Sequence, residues 1–151
     1  MPESAPQPLV LYPIPQAVAA ARRYVAECLA GLRATAVQEC AELGVSELVT
    51  NAVLHARTPF TVTVRRSQNG VARVEVTDGS ALSPQQRRLS ALATTGRGLR
   101  LVASLSLDWG VTPLPAGQDQ GKTVWFEPLE EMTASGFAEA DWAADIEALT
   151  Q

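Results

Sequence analysis

The stretch that organises this chain is ELVTNAVLHA, residues 47–56. It predicts the second half of a long helix that begins near Thr35, because apolar and small residues recur there at steps of three and four. The predicted buried stripe of this helix comprises Val37, Cys40, Ala41, Leu48, Ala52 and Val53. Glu47 and Asn51 stack a carboxylate and a carboxamide one turn apart on one helix face. An acid that accepts a proton, beside an oxygen that ligates a hard cation, suits magnesium-nucleotide chemistry; the alternative is an exposed Glu–Asn pair on a solvated face.

Length and composition indicate one globular domain without a membrane span. The chain has 151 residues, of which 46% are hydrophobic, and no run of about 18 apolar residues. The N-terminus lacks the pattern of a secretory signal, so we expect a cytoplasmic protein, with Cys28 and Cys40 as reduced core residues. Residues 1–126 hold 12 basic against nine acidic residues, a net charge of +3, and the last 25 residues hold seven acidic ones. Without a clustered basic patch, direct nucleic-acid binding is not expected.

The periodicities predict an α+β fold, a two-layer sandwich with a mixed, mostly antiparallel sheet and helices on one face. Residues 1–14 are expected to be flexible or to form an edge strand, residues 15–127 the folded domain, and residues 128–151 an acidic tail. Gly44, inside the long helix, indicates a packing or close-approach reason for a glycine there, because glycine weakens a helix by about 1 kcal/mol relative to alanine. The other predicted elements are a helix from Pro15 to about Leu32, strands Phe60–Arg66 and Val71–Thr77 joined at Gln68-Asn69-Gly70, a short helix after Gly98, and strands Ser106–Val111 and Lys122–Glu127.

Two further motifs are candidates for ligand contacts. Asp78-Gly79-Ser80 follows a strand, where the aspartate is either a turn former or a buried acceptor for a purine amino group. Gly96-Arg97-Gly98 precedes the short helix that starts near Leu99, so the glycines either punctuate a loop or cradle phosphates.

The segment Gly121-Lys122-Thr123 is not a P-loop, because only three residues separate Gly117 from Gly121 and a strand follows instead of a helix. We instead expect the Thr123 hydroxyl to face the same pocket as Asp78.

In order and spacing, these motifs resemble the histidine-kinase-like ATPase (GHKL) domain, and within it the small bacterial anti-sigma-factor serine kinases. The resemblance runs from about Pro15 to Glu127. The segment 47–53 is similar to the N-box of that family, 76–80 to its adenine-binding box, and 96–102 to its second glycine box.

The resemblance implies ATP and Mg²⁺ as cofactors and a role for each motif. Asn51 would coordinate Mg²⁺, Asp78 would hold the adenine amino group with support from Thr123, and Glu47 would be the general base that activates a serine. The remaining residues that the boxes would bring to the nucleotide are Gly79, Gly96, Arg97, Gly98 and Leu99. The implied partners are an anti-anti-sigma (STAS-type) protein, which carries that serine, and a sigma factor; a homodimer is left open.

One departure from the family pattern keeps two alternatives open. The family's adenine box usually reads Asp-x-Gly, whereas here Gly79 follows Asp78 directly and Ser80 takes the next position. The alternatives are a catalytically inactive nucleotide-binding module that sequesters a regulatory partner, and a fold relative that has lost nucleotide binding. In the tail, Phe137, Ala138, Trp142, Ile146 and Leu149 either form a docking helical stripe or belong to a flexible segment.

Overall fold

The computed structural model describes residues 6–55, 58–78, 99–113 and 121–130. Its helices are α1 (Gln16–Gly31), α2 (Gln38–His55), preceded by a 3₁₀ turn at Thr35–Val37, and α3 (Leu99–Ser104). Its strands are β1 (Leu9–Leu11), β2 (Phe60–Arg66), β3 (Ala72–Asp78), β4 (Ser106–Pro113) and β5 (Lys122–Pro128). The predicted elements are therefore present, with ends that differ by one or a few residues.

The five described strands form one sheet in the order β1-β2-β3-β5-β4. Every described ladder is antiparallel, whereas the sequence predicts a mixed, mostly antiparallel sheet. The β2–β3 hairpin closes where Gly70 adopts a φ of 80° and its N–H donates to the Ser67 carbonyl over 2.9 Å. The α+β prediction is confirmed, since α1 and α2 pack together and both lie against this sheet.

The core lies between these helices and one face of the sheet. Alternate residues of β2 and β3 point into it, as the period-two pattern predicts, and so do Val124 and Phe126 of β5. In α2, Val45 and Val49 are fully buried beside the predicted stripe. The buried arc of this helix is wider than one stripe because α2 contacts α1, α3, β3 and β5 at once.

Gly44 marks the closest approach between α2 and the sheet. A Cβ at this position would lie 2.5 Å from Cζ of Phe126 and 2.6 Å from its Cε2, so only a residue without a side chain lets the ring pass. Phe126 is fully buried in β5. The predicted close approach at Gly44 is confirmed, and it fixes the distance between the two elements on which the site described below is built.

Helix α1 ends in a Schellman motif formed around Arg33. This residue has a left-handed φ of 57°, and the Ala34 and Arg33 N–H groups donate to the Leu29 and Ala30 carbonyls over 2.8 and 3.1 Å. Arg66 of β2 donates to the Leu32 carbonyl, which ties the end of the helix to the sheet. The left-handed cap is thus an arginine rather than the nearby Gly31.

Within the described ranges, no helix has the length and apolar character needed to cross a bilayer.

Candidate functional site

The candidate site lies where α2 crosses the ends of β3 and β5. Asp78 is the last residue of β3 and is only 9% exposed. Lys122, the first residue of β5, stands directly opposite it in the antiparallel register. Since directly opposed residues of an antiparallel pair project from the same face of the sheet, both side chains point towards α2.

The lining side chains enclose a cavity of about 20 Å³. Asp78, Lys122 and Asn51 supply its polar groups, and the remaining walls are apolar: Leu48, Ala52, Val76 and Val124. A cavity of this size has room for about one water molecule. A purine ring is larger than this described cavity.

Asn51 brings a buried amide to the same cavity. Its Nδ2 is buried and makes no hydrogen bond to any described residue. A half rotation of the carboxamide exchanges nitrogen and oxygen at little steric cost, so this residue can present either a donor or an acceptor there. An amide oxygen is a ligand that Mg²⁺ accepts beside phosphate oxygens, so Asn51 fits the metal role that the resemblance implies.

Lys122 is a residue of the site that the sequence analysis did not predict. Burial lowers the pKa of its ammonium group, and the negative charge of Asp78 partly offsets this effect. Its place opposite Asp78 depends on the pairing of two strands that are distant in sequence. The only local sequence signal for its orientation is the alternation along β5, because Lys122 lies two residues before the buried Val124 and therefore on the same face.

The structure corrects the expectation that Thr123 faces the pocket of Asp78. Thr123 opposes Thr77, and its Oγ1 lies 2.8 Å from the Thr77 Oγ1 on the face of the sheet turned away from α2. The physical reason is strand alternation: a shift of one residue moves a side chain to the other face of a sheet. Lys122 occupies the position assigned to Thr123.

Glu47 and Leu99 lie near the site without lining its cavity. Glu47 is half-buried one turn before Asn51, and its predicted role as general base stays a prediction. Leu99 starts α3 and is buried in the core at 3% exposure, so its side chain packs α3 against its neighbours. Gly79, Gly96, Arg97 and Gly98 fall outside the described residues, as do Ser80 and the acidic tail from residue 131.

Comparison with known proteins agrees with this architecture. Among curated protein sequences, none matches the chain significantly. The family model of the histidine kinase-like ATPase domain matches residues 13–127, which includes α1, the pocket and the whole of β2 to β4. Because this match spans most of the chain, the protein belongs to the family of histidine kinase-like ATPase domains.

Proposed function

We propose that the protein binds Mg-ATP in the pocket between α2 and the ends of β3 and β5, and transfers the γ-phosphate to a serine of a partner protein. The observation that carries this proposal is that a buried carboxylate, Asp78, and Asn51, whose buried Nδ2 has no hydrogen-bond partner among the described residues, line one small cavity. Family membership supports ATP as the nucleotide.

Two residues define the binding step. Asp78 accepts a hydrogen bond from the exocyclic amino group of adenine, and a buried carboxylate discriminates well because a base without that donor leaves it unpaired. The Asn51 carboxamide oxygen would hold Mg²⁺. When bound, the ion neutralises charge on the phosphates.

Glu47 supplies the proposed chemical step. Its carboxylate takes the proton of the partner's serine hydroxyl as that oxygen bonds to the γ-phosphorus. The bond from the γ-phosphorus to the bridging oxygen breaks, and ADP leaves with its electron pair. Position supports this role, because Glu47 lies on the same face of α2 as Asn51, one turn towards the helix N-terminus.

The proposed partner is an anti-anti-sigma (STAS-type) protein, with a sigma factor as the alternative binding partner. Support for this finer proposal is the similarity of the motifs to the anti-sigma-factor kinases.

A second candidate function is a nucleotide-binding module that sequesters its partner without phosphate transfer. The observation that favours it is that Glu47 does not line the cavity that Asp78 and Asn51 share.

Transfer of labelled phosphate to a purified STAS-type domain separates the two candidates. Glu47→Gln should bind ATP with near wild-type affinity and lose roughly 10²- to 10⁴-fold in transfer rate, the usual contribution of a positioned general base. Glu42→Gln, a half-buried glutamate in the same helix outside the pocket, is the matched control. A wild-type rate in Glu47→Gln would remove Glu47 from the mechanism, and no transfer by the wild type would favour the sequestering module.

A further inference from the structure

Asp78 and Lys122 form an acceptor and a donor side by side at the edge of the pocket. They are opposed in the register of β3 and β5 and line the same cavity. Opposed residues of an antiparallel pair have their Cβ atoms about 4.5–5.5 Å apart, which brings a carboxylate and an ammonium group within reach of two adjacent atoms of one ligand.

Lys122 does not have the surroundings of an ordinary solvent-exposed lysine. The side chain is half-buried, and apolar residues of α2, β3 and β5 supply most of the wall around it. Burial already lowers the pKa of its ammonium group, with the charge of Asp78 acting in the opposite direction. A ligand that offers a donor to Asp78 and an acceptor beside it therefore suits both side chains.

Lys122 is also the longest and most flexible side chain that lines the cavity. The cavity of about 20 Å³ is too small for a purine, and of its apolar walls Leu48, Val76 and Val124 belong to the tightly packed core. Lysine has a long unbranched stem that lies along apolar surface while its charged end moves, so it can retract at low cost. Because β5 anchors the stem next to Asp78, the ammonium group stays at the edge of the entering base.

We propose that Lys122 is a second base-reading residue, which donates a hydrogen bond to the ring nitrogen next to the exocyclic amino group that Asp78 accepts. This inference rests on the proposed binding of ATP in this pocket. It specifies the ligand as a nucleotide whose base presents an amino donor beside a ring acceptor, as N6 and N1 of adenine do. A 6-oxo purine presents the reverse order, with the acceptor outside and a ring N–H beside it, so the same pose leaves both side chains mismatched.

The test is a calorimetric titration of the full chain with Mg²⁺ complexes of ATP and of 1-deaza-ATP, in which C–H replaces the ring N1. Wild type should bind the analogue about tenfold or more weakly than ATP, as expected when a half-buried charged donor loses its acceptor. Lys122→Met keeps the unbranched stem without the donor, so it should bind ATP more weakly and should no longer discriminate between the two nucleotides. Arg23→Met is the matched control for net charge, because Arg23 is exposed on α1, and it should discriminate as wild type does.

The outcomes separate this inference from the proposed function. Equal binding of ATP and 1-deaza-ATP by wild type would overturn the role of Lys122 and leave ATP binding intact. Tighter ATP binding by Lys122→Met would overturn it as well, because Lys122 would then only obstruct the pocket. Absence of ATP binding by folded wild type would overturn both.

A spectroscopic measurement keeps the inference testable if Lys122→Met fails to fold. Lys122 is the only lysine in the chain, so lysine labelled at the ammonium nitrogen gives one side-chain NMR signal. ATP should shift this signal clearly, and 1-deaza-ATP at saturation should shift it much less. Equal shifts would contradict the proposed hydrogen bond.

Discussion

Replacement of Gly44 by alanine tests how closely α2 must approach the sheet to form the pocket. The added Cβ would lie 2.5 Å from Cζ of Phe126, whose ring is fully buried and cannot swing into solvent. Forcing an extra methyl group into a packed core costs about 1–3 kcal/mol. Alanine gains about 1 kcal/mol over glycine inside a helix, which leaves a net loss of up to about 2 kcal/mol.

Gly31→Ala is the matched control for helix propensity. Gly31 is the last residue of α1, and a Cβ there would meet no atom within 4 Å. This variant should be neutral or up to about 1 kcal/mol more stable than wild type. The difference between the two variants therefore reports mainly on the contact with Phe126, and should amount to about 1–3 kcal/mol, or roughly 3–9 °C in Tm.

Urea unfolding of both variants, with Phe126→Leu in each background, measures the effect. Phe126→Leu should cost less stability in the Gly44→Ala background than in wild type, because the smaller side chain relieves the clash. Gly44→Ala should also weaken ATP binding, since Leu48 and Asn51 lie four and seven residues further along the same face of α2. If Gly44→Ala stabilises the protein as Gly31→Ala does, the close contact between α2 and β5 does not position the site.

Three other perturbations have expected outcomes. Thr123→Val should cost about 1 kcal/mol of stability, because it removes the hydrogen bond to Thr77. It should change ATP affinity by less than about threefold, because the Thr123 hydroxyl faces away from the pocket. A large loss of affinity in calorimetry would contradict this placement. Burial raises the pKa of the Tyr24 hydroxyl, so the unfolded chain loses this proton first and the free energy of unfolding should fall as pH rises above about 10. Tyr24→Phe should show a shallower fall in urea titrations at pH 9 and 11, and equal slopes would refute the assignment. Gly110→Ala places a Cβ 2.7 Å from Cζ2 of Trp125. This variant should lower stability by about 1–3 kcal/mol and change the tryptophan fluorescence. Stability and fluorescence equal to those of wild type would show that the indole ring moves freely.

Most of the fold could be predicted because its signals are local. The alternation in β2 and β3, the Asn-Gly turn between them and the helical periods of α1 and α2 each depend on neighbouring residues. Gly44 was also informative, because a residue that weakens a helix indicates a packing reason to keep it. The full width of the buried arc of α2 was less predictable, since it depends on how many elements surround that helix.

The site was predicted less completely, because it depends on which face each strand presents. Asp78 and Asn51 do meet at one cavity, as their placement in the sequence motifs suggested. Thr123 was assigned to the wrong face, and Lys122 was overlooked in its place. A motif at the start of a strand does not show which of two neighbouring side chains faces the pocket. Only the register of β5 with β3 determines this.

Calorimetric titration of wild type and Asp78→Asn with Mg-ATP tests whether this pocket is the nucleotide site. Thr77→Val is the matched control, because Thr77 precedes Asp78 in β3 and points to the opposite face of the sheet. We expect saturable binding by wild type and Thr77→Val, and an affinity lower by at least about tenfold in Asp78→Asn, the cost of losing a hydrogen bond to a charged group. Equal affinity of all three proteins, each shown to be folded by circular dichroism, would contradict the assignment of this pocket as the nucleotide site.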